Sequence, residues 1–175
     1  MAQTNRKLSV DEELLRSFIW AVYNFFSTCT DEEPTIETPY LFDVVTHKDY
    51  TGTIGISGSH KGSIFLTFEK DLIVTLLESH FEEYDNKFED EHMEKYRADY
   101  MGEITNFIAG NVRKHLGKEF LISVPVVLSE PDKVISLSQK GCGIVFPFKW
   151  KKHKSILVLN IQADQDEVGK LLKSF

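Results

Sequence analysis

The chain is poor in the residues that mark disulfide-rich and metal-binding proteins. It has two cysteines in 175 residues, Cys29 and Cys142, which lie far apart without Cys-x-x-Cys or histidine-rich spacing beside them. This pattern favours two buried free thiols over a disulfide or a zinc site. The six histidines are scattered without ligand spacing, so we expect no metal bound by this chain.

Long apolar runs are also missing. No stretch approaches the ~20 apolar residues that a membrane span needs, and residues 1–10 lack the apolar core of a signal peptide. We therefore expect a cytoplasmic protein without membrane contact. The 175 residues, 42% of them hydrophobic, are enough to bury a core, and we expect a single domain over 1–175.

Positive charge is scarce and dispersed. The net charge is −7, and the densest basic patch, 149–154, separates two apolar strand-like runs. A solvated hairpin turn is the simpler interpretation, and a nucleic-acid contact is the alternative. Because no aromatic-interleaved basic surface accompanies the patch, we expect no nucleic-acid partner. The acidic balance favours protein partners that carry some basic surface.

Two common catalytic motifs are absent. The stretch "GISGSHKGS", residues 55–63, has glycines and a lysine but lacks the Gly-Lys-Ser/Thr order of a phosphate loop. It also lies between two predicted strands, so it predicts a hairpin turn. No Gly-x-Ser-x-Gly sequence marks a nucleophile. An enzyme with this sequence would work without a metal or covalent nucleophile of its own.

What the sequence does contain is two similar halves, each predicting a helix, three or four strands and a closing helix. Ser9 and Glu12 form a capping box ahead of the first helix, 30–39 is a predicted loop, and Gly117 is a plausible helix C-cap. The predicted strands are 40–47, 50–57, 63–68, 120–129, 134–139, 143–150 and 155–161, and the further helices are 71–84, 97–117 and 164–175. The charge run 85–96 predicts a solvated lead into the central helix.

This order of elements predicts the fold class. Long helices alternating with runs of short strands indicate an α+β fold, with an antiparallel β-sheet packed against long helices. The stretches "GSIFLTF" and "KSILVLNI", each ahead of a closing helix, indicate a degenerate internal helix–strands–helix duplication.

The central helix carries four polar or small residues in one line. Asp99, Glu103, Asn106 and Gly110 follow one another at offsets of four, three and four, within about 60° of helix surface. The opposite side is an apolar stripe flanked by Phe107; its members are Met101, Ile104, Ile108 and Val112. Gly102 and Ala109 lie beside the polar line. We therefore expect a flat, exposed ridge of small residues around one acid and one amide.

Two explanations of this ridge remain open from the residues alone. Gly102 and Gly110 each lower helix stability by about 1 kcal/mol relative to alanine in a helix interior. Some other contact must therefore gain from the close approach of a backbone at these positions. Either another element of the same protein packs there, or a partner docks there.

The same residues resemble a signature of the CheC, CheX and FliY phosphatases of bacterial chemotaxis. In that family an acid or serine, a glutamate, an asparagine, a glycine and a leucine follow one another on one helix. The matching residues are Asp99, Glu103, Asn106, Gly110 and Leu116. The glycine-punctuated strands of 52–68 are similar to the family's paired strands.

Within the family the single copy of the Glu–Asn pair most resembles the CheX branch. The CheC branch usually shows the pair in both halves, whereas the first helix of this chain has Leu15 and Phe18 at what we take as the equivalent places. The chain also lacks the additional switch domain of FliY.

The resemblance implies a phosphatase that accelerates hydrolysis of the aspartyl phosphate of a CheY-like response regulator. In such a complex the regulator supplies Mg²⁺ and a lysine, Asn106 orients the attacking water, and Glu103 pairs with the lysine. The expected partner-binding residues are Asp99, Gly102, Ala109 and Gly110. The resemblance also implies a homodimer and no cofactor of the chain's own.

Two other functions compete with this one. The first is a non-enzymatic adaptor that binds a response regulator or a flagellar switch protein. The second is a ligand-binding or structural domain whose central helix is packed inside the protein, which protection of Glu103 and Asn106 from solvent would favour.

Overall fold

The computed structural model describes residues 10–30, 32–42, 44–81, 91–130, 134–136 and 142–174. These residues form α-helices and antiparallel β-strands, as the predicted α+β class requires. The helices are α1 (Glu12–Cys29), α2 (Lys70–His80), α3 (Glu91–Leu116) and α4 (Gln165–Lys173). The strands are β1 (Thr35–Ile36), β2 (Tyr40–Leu41), β3 (Val44–Thr46), β4 (Tyr50–Gly58), β5 (Gly62–Phe68), β6 (Phe120–Ile122), β7 (Val126–Leu128), β8 (Val134–Ser136), β9 (Cys142–Trp150) and β10 (His153–Ile161).

The first helix begins at Glu12 and is capped by Asp11. The Asp11 carboxylate accepts a hydrogen bond from the backbone N–H of Leu14 at 2.9 Å, which satisfies one of the free donors of the first turn. The predicted cap Ser9 lies outside the described residues. At the end of α3, Gly117 adopts a left-handed conformation with φ of 92°, which confirms the predicted C-cap.

The C-terminal end of α2 and the N-terminal end of α3 differ from the prediction. α2 ends at His80, and the remainder of its predicted span, 82–84, lies outside the described residues, as do residues 85–90 of the charge run. α3 begins at Glu91, earlier than predicted. The guanidinium of Arg97 is 0% exposed and donates to Glu94 at 2.8 Å, so this part of α3 is anchored in the core.

The main sheet has the order β1–β9–β10–β5–β4–β6, with β2 also pairing with β9 and β7 with β4. Both of its edges are therefore strands broken in two. The predicted loop 30–39 is wrong at β1, which pairs with β9. The predicted strand 120–129 is interrupted at Ser123–Pro125, between β6 and β7.

The predicted internal duplication is confirmed by the order and pairing of the elements. In the part of the chain that the structure describes, each half runs helix, five strands, helix, from α1 to α2 and from α3 to α4. The halves interlock, because β1 and β2 pair with β9 of the second half while β6 and β7 pair with β4 of the first. β3 and β8 form a second, two-stranded sheet. Each half thus completes the other's sheet.

Three smaller sequence predictions can be checked in the same elements. The stretch 55–63 forms the β4–β5 hairpin with Gly58 at φ 88°, and 149–154 forms the β9–β10 hairpin with Lys151 at φ 52°, so both turn predictions are confirmed. Cys29 and Cys142 are free thiols as predicted. Cys142 is buried, whereas Cys29 is half-buried.

α3 lies very close to β4 because Gly52 has no side chain. A Cβ atom at Gly52 would be 1.9 Å from Oγ1 of Thr105, which is 1% exposed. The Thr105 hydroxyl donates to the carbonyl of Met101 at 2.7 Å, so the side chain is also held by its own helix. This contact sets the rotation of α3 about its axis. With Thr105 facing the sheet, the opposite side of the helix faces outward.

We predict that Gly52→Ala lowers the free energy of unfolding by about 2 kcal/mol, because the added methyl forces α3 away from β4. Gly55→Ala on the same strand is the matched control, since its Cβ would meet Ser123 Oγ at an ordinary 3.5 Å. Urea unfolding of both variants provides the measurement. Equal losses in the two variants would contradict the close helix–strand approach.

Candidate functional site

The predicted polar line lies on the outer side of α3. Asp99, Glu103 and Asn106 are exposed and Gly110 is half-buried. The predicted apolar stripe faces the core, with every member exposed by 1% or less: Met101, Ile104, Ile108 and Val112. The exposure of Glu103 and Asn106 argues against the alternative in which this face is packed inside the protein.

The predicted exposure of Gly102 and Ala109 is wrong. Ala109 is 0% exposed and belongs to the core, and Gly102 is buried, where a Cβ would be 3.4 Å from Val127 Cγ2. The reason is that α3 contacts α1 on one side and β4, β6 and β7 on the other, so its buried arc is wider than one apolar stripe. We therefore remove Ala109 from the partner-binding surface.

A groove runs between the polar line and the broken edge strand. It has a volume of about 580 Å³. One wall is Asp99, Glu103 and Asn106 of α3; the other is Val124, Pro125 and Val127, and Gly102 lies at the floor. The predicted polar residues thus form one wall of a concave site. The other wall was not predicted from the sequence, although Pro125 inside a predicted strand was a usable indication of a break.

The break in the edge strand is held in place by Ser123. Its backbone N–H donates to the carbonyl of Gly55 at 2.9 Å, and its Oγ accepts from the N–H of Gly55 at 2.9 Å. Ser123 thus takes both main-chain groups of Gly55. The following residue, Val124, projects from the edge and is 81% exposed.

The polar groups of the ridge have no partner in the part of the chain that the structure describes. Asp99, Glu103 and Asn106 make no side-chain hydrogen bond or ion pair with any other described residue. In contrast, Glu94 on the same helix binds Tyr50 and Arg97. The carboxylates and the amide of the ridge are therefore available for groups from outside.

The turn of α3 that carries the polar line is braced from below by Tyr100. Its hydroxyl is hydrogen-bonded to Nδ1 of His80, whose Nε2 contacts the carbonyl of Cys29. A carbonyl only accepts, so Nε2 carries the proton and Nδ1 accepts from Tyr100. Burial above all, then the charges of Cys29 and Glu103, raises the pKa of Tyr100 and keeps it a donor. These two hydrogen bonds join α1, α2 and α3.

No neighbour among the described residues requires Gly110 to be glycine. None of their atoms lies within 4 Å of the place where its Cβ would be, and its φ is not in the left-handed region. Alanine would fit there and would favour the helix. Internal packing is one of the two explanations for a glycine on the ridge, and it does not apply to Gly110 in the described structure.

The first half shows where a second copy of the pair would lie. The buried positions of α1 and α3 match in one register: Leu14, Leu15, Ser17, Phe18, Ala21, Val22 and Phe25 correspond to Met101, Gly102, Ile104, Thr105, Ile108, Ala109 and Val112. Glu103 and Asn106 then correspond to Arg16 and Ile19. The predicted equivalents Leu15 and Phe18 are wrong, because both are core residues. The pair is still absent from α1.

The described part of the chain contains neither a candidate metal site nor a candidate membrane span. It does not gather three or more His, Cys, Asp or Glu side chains in an arrangement that could hold a metal ion. None of its helices combines the length and apolarity needed to cross a membrane.

Solved structures with this fold include chemotaxis proteins of the CheC-like class. A CheC-like superfamily protein from Shewanella sp. PV-4 is 25% identical, with a TM-score of 0.74 over 88% of this chain and 100% of that one. A putative chemotaxis protein from Desulfovibrio vulgaris Hildenborough is 28% identical, with a TM-score of 0.73 over 87% and 99%. The CheX–CheY–BeF₃–Mg²⁺ complex from Borrelia burgdorferi, 18% identical with a TM-score of 0.65 over 89% and 99%, shares the fold.

The fold and the ridge thus define a CheC-like protein with one motif helix. A family profile described as "Chemotaxis phosphatase CheX" matches residues 50–149, more than half of the chain and including all of α3. The chain therefore belongs to the CheX family. No curated protein sequence matches it.

We predict that Gly110→Ala leaves the free energy of unfolding unchanged or raises it by up to about 1 kcal/mol, because alanine favours the helix and meets no neighbour. Gly102→Ala is the comparison: its methyl would touch Val127 at 3.4 Å and should gain less. Thermal unfolding of both variants measures this. A clear loss of stability in Gly110→Ala would reveal an internal contact at the ridge.

Proposed function

We propose that this protein is a phosphatase that accelerates hydrolysis of the aspartyl phosphate of a CheY-like response regulator in bacterial chemotaxis. The observation that carries the proposal is the α3 ridge, where exposed Glu103 and Asn106 lie one helical turn apart without partners among the described residues. Membership of the CheX family supports the class of partner. The proposal places the protein in the cytoplasm with that regulator.

Hydrolysis of an aspartyl phosphate needs an aligned water molecule and compensation of negative charge, and little covalent chemistry. In this proposal the regulator supplies the charge compensation through its own Mg²⁺ and lysine. The amide of Asn106 supplies the alignment: Oδ1 accepts a hydrogen bond from the water, and Nδ2 donates to a phosphoryl oxygen. An amide does not titrate, so the step requires no tuned pKa.

Glu103 sets the register of the complex. Its carboxylate forms a charge-assisted hydrogen bond with the lysine of the regulator, which places Asn106 at the phosphoryl group. Asp99, one turn nearer the helix start, contacts the partner at the rim of the groove. Val124, across the groove, provides an apolar contact beside the polar pair.

The close approach of the two proteins explains Gly110. A side chain at this position would stand between α3 and a recessed phosphoryl group without touching its own protein. In this proposal a partner's backbone passes close to Gly110. The position is therefore glycine although alanine would make the helix more stable. The solved complex of CheX from Borrelia burgdorferi with CheY, BeF₃ and Mg²⁺ contains the kind of partner that we propose for this protein.

We predict that Asn106→Ala lowers the rate of dephosphorylation by ~10²-fold or more, because one preorganised polar group is lost at the reacting centre. Asn106→Gln should recover little, since it moves the amide by about 1.5 Å and alignment tolerates only small errors. Decay of the phosphorylated regulator with each variant is the measurement.

Asn111→Ala is the matched control, since it removes the same group from another side of the same helix. The control should keep the full rate, and Asn106→Ala should still bind the regulator. A folded Asn106→Ala protein with full activity would rule out the proposed mechanism. Tight binding without any acceleration by the wild-type protein would instead identify an adaptor.

We also propose a symmetric homodimer that leaves both grooves open. The groove occupies the β6–β7 edge of the sheet, so the free edge for pairing is β1–β2. The aromatic pair Tyr40 and Phe42 lies on this edge, 46% and 50% exposed, with ring centroids 6.3 Å apart. Large apolar side chains so exposed on a sheet edge favour a second copy as their cover.

Light scattering should give twice the chain mass at tens of micromolar, and Tyr40→Lys should shift the protein to monomer by placing a charge from each subunit in the proposed interface. Each active centre is complete within one subunit in this proposal, so the monomeric variant should keep its activity per chain. A wild-type protein of single-chain mass at that concentration would contradict the dimer.

A further inference from the structure

The C-terminal end of α3 is basic, although the net charge of the chain is −7. Arg113 and Lys114 are exposed in the last turn, and Lys118 is exposed just beyond the Gly117 cap. None of the three cations forms an ion pair or side-chain hydrogen bond with another residue in the described part of the chain. Together with Gly110 and Gly117 they line an open groove of about 270 Å³, and no carboxylate among the described residues lines it. We call this the basic groove.

The basic groove continues the α3 ridge without interruption. Arg113 is seven residues after Asn106, so it lies two turns further on, ~10 Å along the axis and on nearly the same side of the helix. Gly110 lies between them, and its missing side chain leaves that turn bare. A partner seated over Asn106 therefore also reaches the cations.

The helix dipole explains only part of this arrangement. Cations in the last turn stabilise the partial negative charge of a helix end, and α4 has the same feature at Lys170 and Lys173. Lys118 lies past the helix end, however. The dipole also does not require a groove that shares Gly110 with the ridge and that no carboxylate of the described residues lines.

The proposed partner is anionic where it meets the ridge, since it carries a phosphoryl group beside metal-binding carboxylates. An acidic protein that approaches with Asp99 and Glu103 in front is repelled at long range. A cation cluster beside those acids offsets the repulsion and orients the approach.

Resting on the proposed function, we infer that the basic groove is a second docking element. It binds a carboxylate-bearing surface of the phosphorylated regulator, about 10 Å along α3 from Asn106 by the helix geometry. Arg113, Lys114 and Lys118 speed association and fix orientation, and they take no part in hydrolysis.

The test compares two double charge reversals of equal size. Arg113→Glu with Lys114→Glu reverses the groove, and Lys170→Glu with Lys173→Glu makes the same change in the last turn of α4. α4 packs beside β2, at the opposite edge of the sheet, and both control lysines are exposed. Binding of the BeF₃-activated regulator and decay of the phosphorylated regulator are measured for both variants over a series of NaCl concentrations.

At low salt the groove variant should lose about 10-fold or more in affinity and in kcat/KM, and the loss should shrink as salt screens the charges. Its kcat at saturating regulator should remain that of the wild type. The α4 variant should stay within about 2-fold of wild type at every salt concentration. If the reversal prevents folding, Arg113→Gln with Lys114→Gln provides the same comparison with a smaller effect.

Equal affinity and equal kcat/KM for the groove and α4 variants would overturn this inference and leave the proposed function intact. A loss of kcat at saturation would also overturn it, because the cations would then act in hydrolysis. A wild-type protein that binds the regulator without shortening the phosphate lifetime would overturn the proposed function, while the binding comparison would still decide the role of the groove.

Discussion

The contact between Gly52 and Thr105 is the constraint on which the site depends. β4 can approach α3 only because Gly52 lacks a side chain, and this approach turns Thr105 inward. Once Thr105 faces the sheet, helix geometry places Glu103 and Asn106 on the solvent side. The same approach brings the edge strand beside α3 and so creates the groove. A glycine in the strand beneath α3 thus decides which residues of the helix a partner meets.

The internal duplication gives the two halves the same order of elements and matching buried positions, but the exposed residues at corresponding positions differ. α1 and α3 bury matching positions, yet α1 has Arg16 and Ile19 where α3 has Glu103 and Asn106. Arg16 is engaged by Glu12 at 2.5 Å, whereas the α3 pair has no partner among the described residues. The interlocked sheet makes each half necessary for the other, so the first half serves as the support of a site that only the second half carries.

Much of this architecture could be predicted from the sequence, because it follows from local periodicity. The spacing of Asp99, Glu103 and Asn106 predicted their common exposed side, and the repeated order of helices and strands predicted the duplication. The burial of Gly102 and Ala109 could not be predicted in this way. It depends on α3 being packed by α1 on one side and by strands of the sheet on the other. The periodicity of one helix does not show how many elements pack against it.

The errors in the sheet have a similar cause. β1 is two residues long and owes its existence to pairing with β9, more than a hundred residues away in the chain. Val124 became part of the groove because Ser123 pairs with Gly55 of a distant strand. Catalytic turnover of the phosphorylated regulator by the ridge is tested most directly by the phosphate lifetime with substoichiometric amounts of this protein. The decay rate should be proportional to protein concentration, with many regulators dephosphorylated per chain. An unchanged lifetime under conditions where the complex forms would contradict it.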